Sequence, residues 1–433
     1  MLEIKSLNTQ DSNFATELQN IYSQQLVKNA NISDTVEKII SNIQQYKDAA
    51  LVDYTARFDN LVKDSASELE INLKDAQKSF DNLSPEDKKS LRHAHQRIEE
   101  YHLLQKQNSW EYTDATNNIL GQKITAITKV GMYVPGGQAS YPSTVLMNAI
   151  PAKIAGVQEI IMVFPTPYGK INNMVLAAAY LSGVTKIYTI GGAQAIAALA
   201  YGTQTIPAVN KIVGPGNAYV AEAKRRVFGK VGIDMIAGPS DILIISDGSI
   251  QPDWLASDLM AQAEHDPNAR AVFISNSAQD IQAVQQQIDA LLPSLDRKDI
   301  IAQSLANNGL FIKTSSIQES CKLSNTIAPE HLELAVENAK EYVNHIHNAG
   351  AIFVGGYSCE SLGDYCAGPN HTLPTYGTAK FTSPLGVYDF QKRSSIINIQ
   401  PSQSRSLYKT AAHIADREGL SAHALAARLR INA

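Results

Sequence analysis

Lys129-Val130-Gly131-Met132-Tyr133-Val134-Pro135-Gly136-Gly137 opens the part of the chain whose texture decides the fold. A short apolar run ends in a proline and two glycines, and a small-residue helical stretch, Thr144–Ala155, follows. The same alternation recurs with strand-like runs at Glu159–Phe164, Lys186–Ile190, Lys211–Val213, Gly232–Ile236 and Asp241–Ser246, separated by helical stretches such as Asn173–Leu181 and Ala218–Val227. Apolar runs buried on both faces and joined by helices are the pattern of a parallel sheet covered by helices.

Outward from this unit, a second α/β stretch is expected, with helices at Trp254–His265 and Ile281–Leu292 and strands at Ala271–Ser275, Gly309–Lys313 and Ala351–Val354. Before residue 125 the pattern is helical and polar: Asp34–Phe58 carries helical spacing, and Ser84-Pro85-Glu86-Asp87 is a capped start for a long charged helix. Beyond Pro384, Ser404–Glu418, Gly419 and Ser421–Leu429 predict two helices broken at a glycine, a natural oligomerisation arm. The expected fold class is therefore α/β, with two Rossmann-like parallel-sheet domains, a helical N-terminal segment and a small C-terminal helical dimerisation arm. The expected division is an arm at 1–25, a first α/β domain of 26–132 plus 240–384, a second of 133–239, and the C-terminal arm at 385–433.

Composition narrows the function. Over 433 residues, 37 Lys+Arg against 42 Asp+Glu give a net charge of −5, with no basic cluster beyond Lys224-Arg225-Arg226, so no nucleic-acid partner is expected. Three cysteines without CxxC spacing argue against a disulfide framework and fit a reducing compartment. No apolar run is long enough to span a membrane, and Met1–Lys5 lacks the apolar core of a signal peptide, so a cytoplasmic address is expected.

Chemistry-bearing residues gather in a few stretches. Glycines at strand ends, in Pro135-Gly136-Gly137-Gln138, Gly191-Gly192-Ala193-Gln194 and Gly214-Pro215-Gly216-Asn217, can hold an anion at a helix N-terminus, or serve only as tight turns. Gln262 and His265 share a helix face, Asp364 and His371 bracket a Gly/Pro-rich loop, and Glu418 and His423 flank Gly419. Two histidines, an aspartate and an amide oxygen would make a mixed N/O zinc site open to substrate, although taken singly Gln262, His265 and His423 read equally as structural. In Pro329-Glu330-His331, the carboxylate and imidazole suit general acid/base work, while a plain helix start with Glu330 on the helix dipole is the alternative. Cys366 beside Asp364 raises a thiohemiacetal route, against the commoner role of a small buried thiol.

Eight stretches, taken together and in order, resemble the histidinol dehydrogenase family: Val134-Pro135-Gly136-Gly137, Gly191-Gly192-Ala193-Gln194-Ala195-Ile196, Val213-Gly214-Pro215-Gly216-Asn217-Ala218, Ala237-Gly238-Pro239-Ser240, Gln262-Ala263-Glu264-His265, Ala328-Pro329-Glu330-His331-Leu332, Gly368-Pro369-Asn370-His371-Thr372-Leu373-Pro374-Thr375 and Glu418-Gly419-Leu420-Ser421-Ala422-His423. The segment Val227–Val231 is short against the family pattern. The resemblance implies one Zn2+ per subunit on Gln262, His265, Asp364 and His423, with His423 supplied by the partner in a homodimer with shared sites. It implies acid/base roles for Glu330 and His331, and substrate contacts at Ser240, His371 and Glu418 besides His331 and the zinc ligands. It places NAD at Tyr133, Gln194 and Asn217, and implies oxidation of L-histidinol through L-histidinaldehyde to L-histidine. A zinc hydrolase on the same α/β scaffold, with Glu330 activating water, is the alternative reading.

Overall fold

The computed structural model describes residues 2–23, 30–136, 141–236, 238–400 and 404–431. Gly137 and Gln138 of the first glycine stretch, and Ala237, lie outside the described residues.

The apolar runs become two six-stranded sheets. The first runs, in spatial order, Lys5–Asn8, Leu310–Lys313, Arg270–Ser275, Asp241–Ser246, His331–Ala335, Ala351–Val354, with every neighbouring pair parallel. The second runs Glu70–Ile71, Lys186–Tyr188, Glu159–Val163, Lys129–Tyr133, Lys211–Val213, Gly232–Ile233, parallel except for the antiparallel edge strand Glu70–Ile71. Both are covered on two sides, which is why their strands read as continuous apolar runs. Ile242 and Ile244 pack with Leu255, Leu259 and Ile288 on one face of the first sheet. Leu243 and Ile245 face Ile317, Cys321 and Ile327 on the other. Val130 and Met132 in the second sheet face Leu146 and Ile150, while Tyr133 and Ile161 face the opposite cluster with Ile196 and Leu199.

Packing relates the N-terminal helices mainly to the second sheet. Helices Ala30–Tyr46, Asp48–Asp59, Leu73–Asp81 and Pro85–Leu103 contribute Val36, Leu51, Phe80 and Ile98 to its two cores, while Arg97 and His102 also bond to Ala367 and Asn370 of the 240–384 stretch. Within the stretch expected as an N-terminal arm, Lys5–Asn8 adds a parallel edge strand to the first sheet. Helical periodicity showed that these helices have an apolar face, but carried no information about which sheet would cover it. Ser84 caps its helix by accepting from Asp87 N–H at 3.0 Å, as the sequence predicts.

A third sheet, antiparallel, joins Gln391–Asn398 to Ile119–Ala126 and Trp110–Thr113. It leads into helices Arg405–Arg417 and Ser421–Arg428, broken at Gly419 with φ 75°. Ser421 is the first residue of its helix and not its N-cap. No helix among the described residues is long and apolar enough to cross a membrane.

Asp59 ends the helix Asp48–Asp59 in the interior, where its Oδ2 has no hydrogen-bond partner and burial pushes the carboxyl up to about 6. The folded state therefore holds the proton more tightly than the unfolded state, whose value is 3.8. Stability from this group is full below the unfolded value and is lost as pH rises through about 6. Asp59→Asn removes that loss: denaturant unfolding at pH 8 is expected to show a gain of up to about 3 kcal/mol, with a flatter profile at acid pH.

Candidate functional site

A cleft of about 1710 Å³ lies between the N-terminal edge of the first sheet and the C-terminal edge of the second. Its lining includes Ser240, Gln262, His265, Glu330, His331, Asp364 and His371 from one side and Gly136, Gly214, Pro215, Gly216 and Asn217 from the other. Glu330 immediately precedes a strand, His331–Ala335, so Pro329-Glu330-His331 is not a helix start. That strand lies beside Asp241–Ser246 with His331 opposite Ile242, which places Glu330 against Asp241.

His331 is buried, and its Nδ1 donates to the Asp241 carbonyl at 3.0 Å. In the neutral ring this fixes the tautomer and leaves Nε2 as an acceptor. Nε2 has no hydrogen-bond partner and lies 3.8 Å from Asp364 Oδ1. Burial lowers the imidazole to about 3, the hydrogen bond to Asp241 opposes this, and His265 and His371 push it further down. The ring is thus held neutral, with Nε2 as a free acceptor. Glu330 has the opposite bias: burial first, then the charges of Asp241 and Asp364, raise its carboxyl well above the ordinary range, against hydrogen bonds from Asp241 and Ser240.

His265, Glu360 and Asp364 bring ligand atoms within 4.8 Å of one another, a group able to hold a metal ion. His265 Nε2 is 3.9 Å from Asp364 Oδ2. Gln262, at the last turn of helix Pro252–Ala263, lies against the Glu360 carboxylate, which requires the amide nitrogen on that side and turns the amide oxygen away from it. His371 donates Nδ1 to the Asp364 carbonyl at 3.0 Å and meets Thr144 Oγ1 through Nε2 at 3.4 Å. Five carboxyl groups, of Asp258, Glu330, Glu333, Glu360 and Asp364, are raised, each by burial first. Such a concentration of carboxylates on N/O donors fits a divalent cation, whose charge would offset their desolvation.

On the opposite wall, Lys224 and Asp234 form a buried ion pair that grips the glycine turn: Gly214 N donates to Asp234 Oδ2 at 2.8 Å, and Lys224 Nζ donates to Gly214 O at 2.9 Å. Gly214 sits at φ 105°, and a Cβ there would fall 2.1 Å from the Tyr133 carbonyl oxygen, so the turn requires glycine. Asn217 caps helix Ala218–Val227 by accepting from Tyr219 and Val220 N–H. Tyr133 and Gln194 are buried and are not among the cleft-lining residues. The Tyr133 hydroxyl accepts from Gly192 N at 3.2 Å, and Gln194 Oε1 has no partner.

The structure thus brings Ser240, Gln262, His265, Glu330, His331, Asp364, His371 and Asn217 to one cleft, and leaves Glu418 and His423 exposed on the C-terminal helices outside it. Sequence reading missed Asp241, Glu333 and Glu360. Glu333 did carry a signal, since His331-Leu332-Glu333-Leu334 alternates polar and apolar with period two, the mark of a strand.

With this geometry in hand, comparison with known proteins is decisive. Residues 23–431 match the family model for histidinol dehydrogenase. The chain belongs to the histidinol dehydrogenase family. It is an oxidoreductase of histidine biosynthesis, 53% identical over 430 residues to the histidinol dehydrogenase of Methylococcus capsulatus, covering 99% of both chains. It is 52% identical to that of Neisseria gonorrhoeae, covering 99% of this chain and all of the other. A crystal structure of histidinol dehydrogenase from Elizabethkingia anophelis superposes with a TM-score of 0.93 at 33% identity, covering 99% of this chain and 98% of that one.

Burial raises Asp364 to about 7, so below that pH a cation must displace its proton. For a divalent cation held by this group, chelator competition is expected to show affinity falling as pH drops below about 7, by at most about tenfold per unit for Asp364, and Asp364→Asn to weaken binding and lose that slope.

Proposed function

We propose that this member of the histidinol dehydrogenase family performs the zinc-dependent, NAD-linked, four-electron oxidation of L-histidinol to L-histidine through L-histidinaldehyde. The observation that carries the reading is His331: a buried neutral imidazole with Nδ1 tied to a backbone carbonyl and an unpartnered Nε2, set beside Glu330 and the group able to hold a metal. When bound, zinc would anchor the substrate through its amino and imidazole nitrogens, and NAD would accept each hydride.

Gln262, His265 and Asp364 would hold the zinc, with His423 from a second subunit, and Tyr133, Gln194 and Asn217 would belong to the NAD side. Glu360 supports the set by fixing the Gln262 amide, as outer partners of metal ligands commonly do. His331 Nε2 takes the alcohol proton as the first hydride leaves. The aldehyde then needs water, because its carbon has no second hydride to give until it is hydrated. Glu330 takes a proton from that water, and His331 again accepts a proton as the second hydride departs. The balance is alcohol, two NAD+ and water giving carboxylate, two NADH and three protons. Ser240, His371 and Glu418 would position the substrate. Since Glu330 works only when ionised and its carboxyl is raised, the aldehyde step gains rate as pH rises.

Purified protein given L-histidinol and NAD is expected to yield about two NADH per histidinol, read by absorbance, with the signal lost to a chelator and restored by zinc. Glu330→Gln should block aldehyde oxidation; unchanged formation of acid would remove Glu330 from water activation. A hydrolase would give no NADH.

The exposed Leu407, Ile414, Leu420, Leu425 and Leu429 on the C-terminal helices support a homodimer in which these helices carry Glu418 and His423 to the other subunit's cleft. Mixing His423→Ala with Glu330→Gln subunits should then restore partial activity, since one class of site in the mixed dimer keeps both residues. Failure to complement would count against shared sites.

A further inference from the structure

Among the described residues, Asp241 hydrogen-bonds to both proposed acid/base groups. Its backbone N–H donates to Glu330 Oε2 at 3.0 Å, its carboxylate Oδ1 accepts from the Glu330 N–H at 2.5 Å, and its carbonyl accepts from His331 Nδ1 at 3.0 Å. All three residues are buried, so the contacts are not exchanged with water.

The division of labour within this residue is unequal. His331 is held by the Asp241 carbonyl, which any amino acid would supply. Glu330 is held twice, and one of the two bonds needs the Asp241 side chain. Because a parallel register sets Ile242 opposite His331, the two preceding residues meet where these strands begin; Glu330 O accepts from Ala351 N at 2.9 Å on one side, and on the other its N–H is met by the Asp241 side chain. The side chain thus ties the Glu330 main chain to the Asp241–Ser246 strand, and the Asp241 N–H aims the Glu330 carboxylate. Arg270, buried next to it with its guanidinium 3.9 Å from the Tyr22 ring centroid, partly offsets the charge of Asp241.

We infer that Asp241 is a positioning residue for Glu330, acting selectively on the water-dependent second half of the reaction. The inference rests on the proposed division of roles between Glu330 and His331. Loss of the side chain leaves the buried Glu330 N–H unpaired and loosens the residue that carries the base on its Asp241 side, whereas the partner of His331 survives. A structural role alone would slow both oxidations together.

The test compares Asp241→Ala, Asp241→Asn and Glu330→Gln with wild type, each zinc-loaded. Single-turnover NADH formation is followed from L-histidinol, and separately from L-histidinaldehyde. In Asp241→Ala the ratio of aldehyde to alcohol oxidation is expected to fall by about tenfold or more, and in Asp241→Asn, which keeps an acceptor of the same shape, to stay within about threefold of wild type. Zinc affinity should be unchanged. If Asp241→Ala does not fold, Asp241→Ser, whose hydroxyl is too short to span the gap, is read in the same way. Parallel loss of both oxidations in the Ala or Ser variant, or no loss at all, would overturn the inference. Should Glu330→Gln oxidise the aldehyde at the wild-type rate, the role of Glu330 is wrong; an impaired Glu330→Gln beside an unaltered Asp241→Ala refutes the Asp241 inference alone.

Discussion

Chain direction in a parallel α/β sheet is the constraint on which the rest of this molecule depends. Covering helices run back against the strands, so the C-terminal edge of a sheet carries helix N-termini and the N-terminal edge carries helix C-termini. The first favours anions and the second favours cations. Here the cleft is bounded by one edge of each kind. The second sheet offers Gly214–Asn217 and the start of helix Ala218–Val227. From the first sheet come the strand beginnings at Asp241 and His331 and the end of helix Pro252–Ala263 with Gln262. Anion-favouring and cation-favouring walls thereby face each other across one cavity, with Glu330 and His331 on the side of the group able to hold a metal.

This arrangement departs from the usual placement of a site at the C-terminal ends of parallel strands. The second sheet obeys that rule, since its strand order turns between Lys129–Tyr133 and Lys211–Val213, and the glycine turn lies beyond them. The first sheet also changes direction, between Asp241–Ser246 and His331–Ala335, but its working residues lie at the other end. Strand and helix beginnings leave backbone groups without partners, and here side chains complete them, as Asp241 does for Glu330 before its strand and Glu333 does, at 2.9 Å, for the N–H of Glu360 at the start of helix Glu360–Tyr365. The site is held by hydrogen bonds that the sheet did not use.

Burial drives the electrostatics. Carboxyls are pushed toward their neutral forms and imidazoles likewise, so the cavity without a cation is rich in groups whose charge is unfavourable. Such a cluster destabilises the fold unless something compensates it, and a divalent cation on the same side chains would do so. The opposite wall is compensated internally, by Lys224 and Asp234 bonded to each other and to both ends of the Gly214 peptide environment.

Sequence by itself determined the α/β class, most strand positions in both sheets, the cap at Ser84 and the break at Gly419, because these follow from local periodicity and from residues with special backbone chemistry. It also supplied candidate site residues, through ordered stretches resembling one family, and eight of them, Ser240, Gln262, His265, Glu330, His331, Asp364, His371 and Asn217, line one cleft. What only the tertiary structure decided was partnership. The N-terminal helices cover the second sheet because apolar faces are interchangeable in sequence and are distinguished only by shape. Pro329-Glu330-His331 leads into a strand whose partner is the Asp241–Ser246 strand; the alternation over His331–Leu334 is a local sign of a strand but says nothing of which strand it pairs with. Asp241 and Glu360 acquire their roles through contacts 89 or more residues apart along the chain, and a buried carboxylate is recognisable only when the groups that surround it are known.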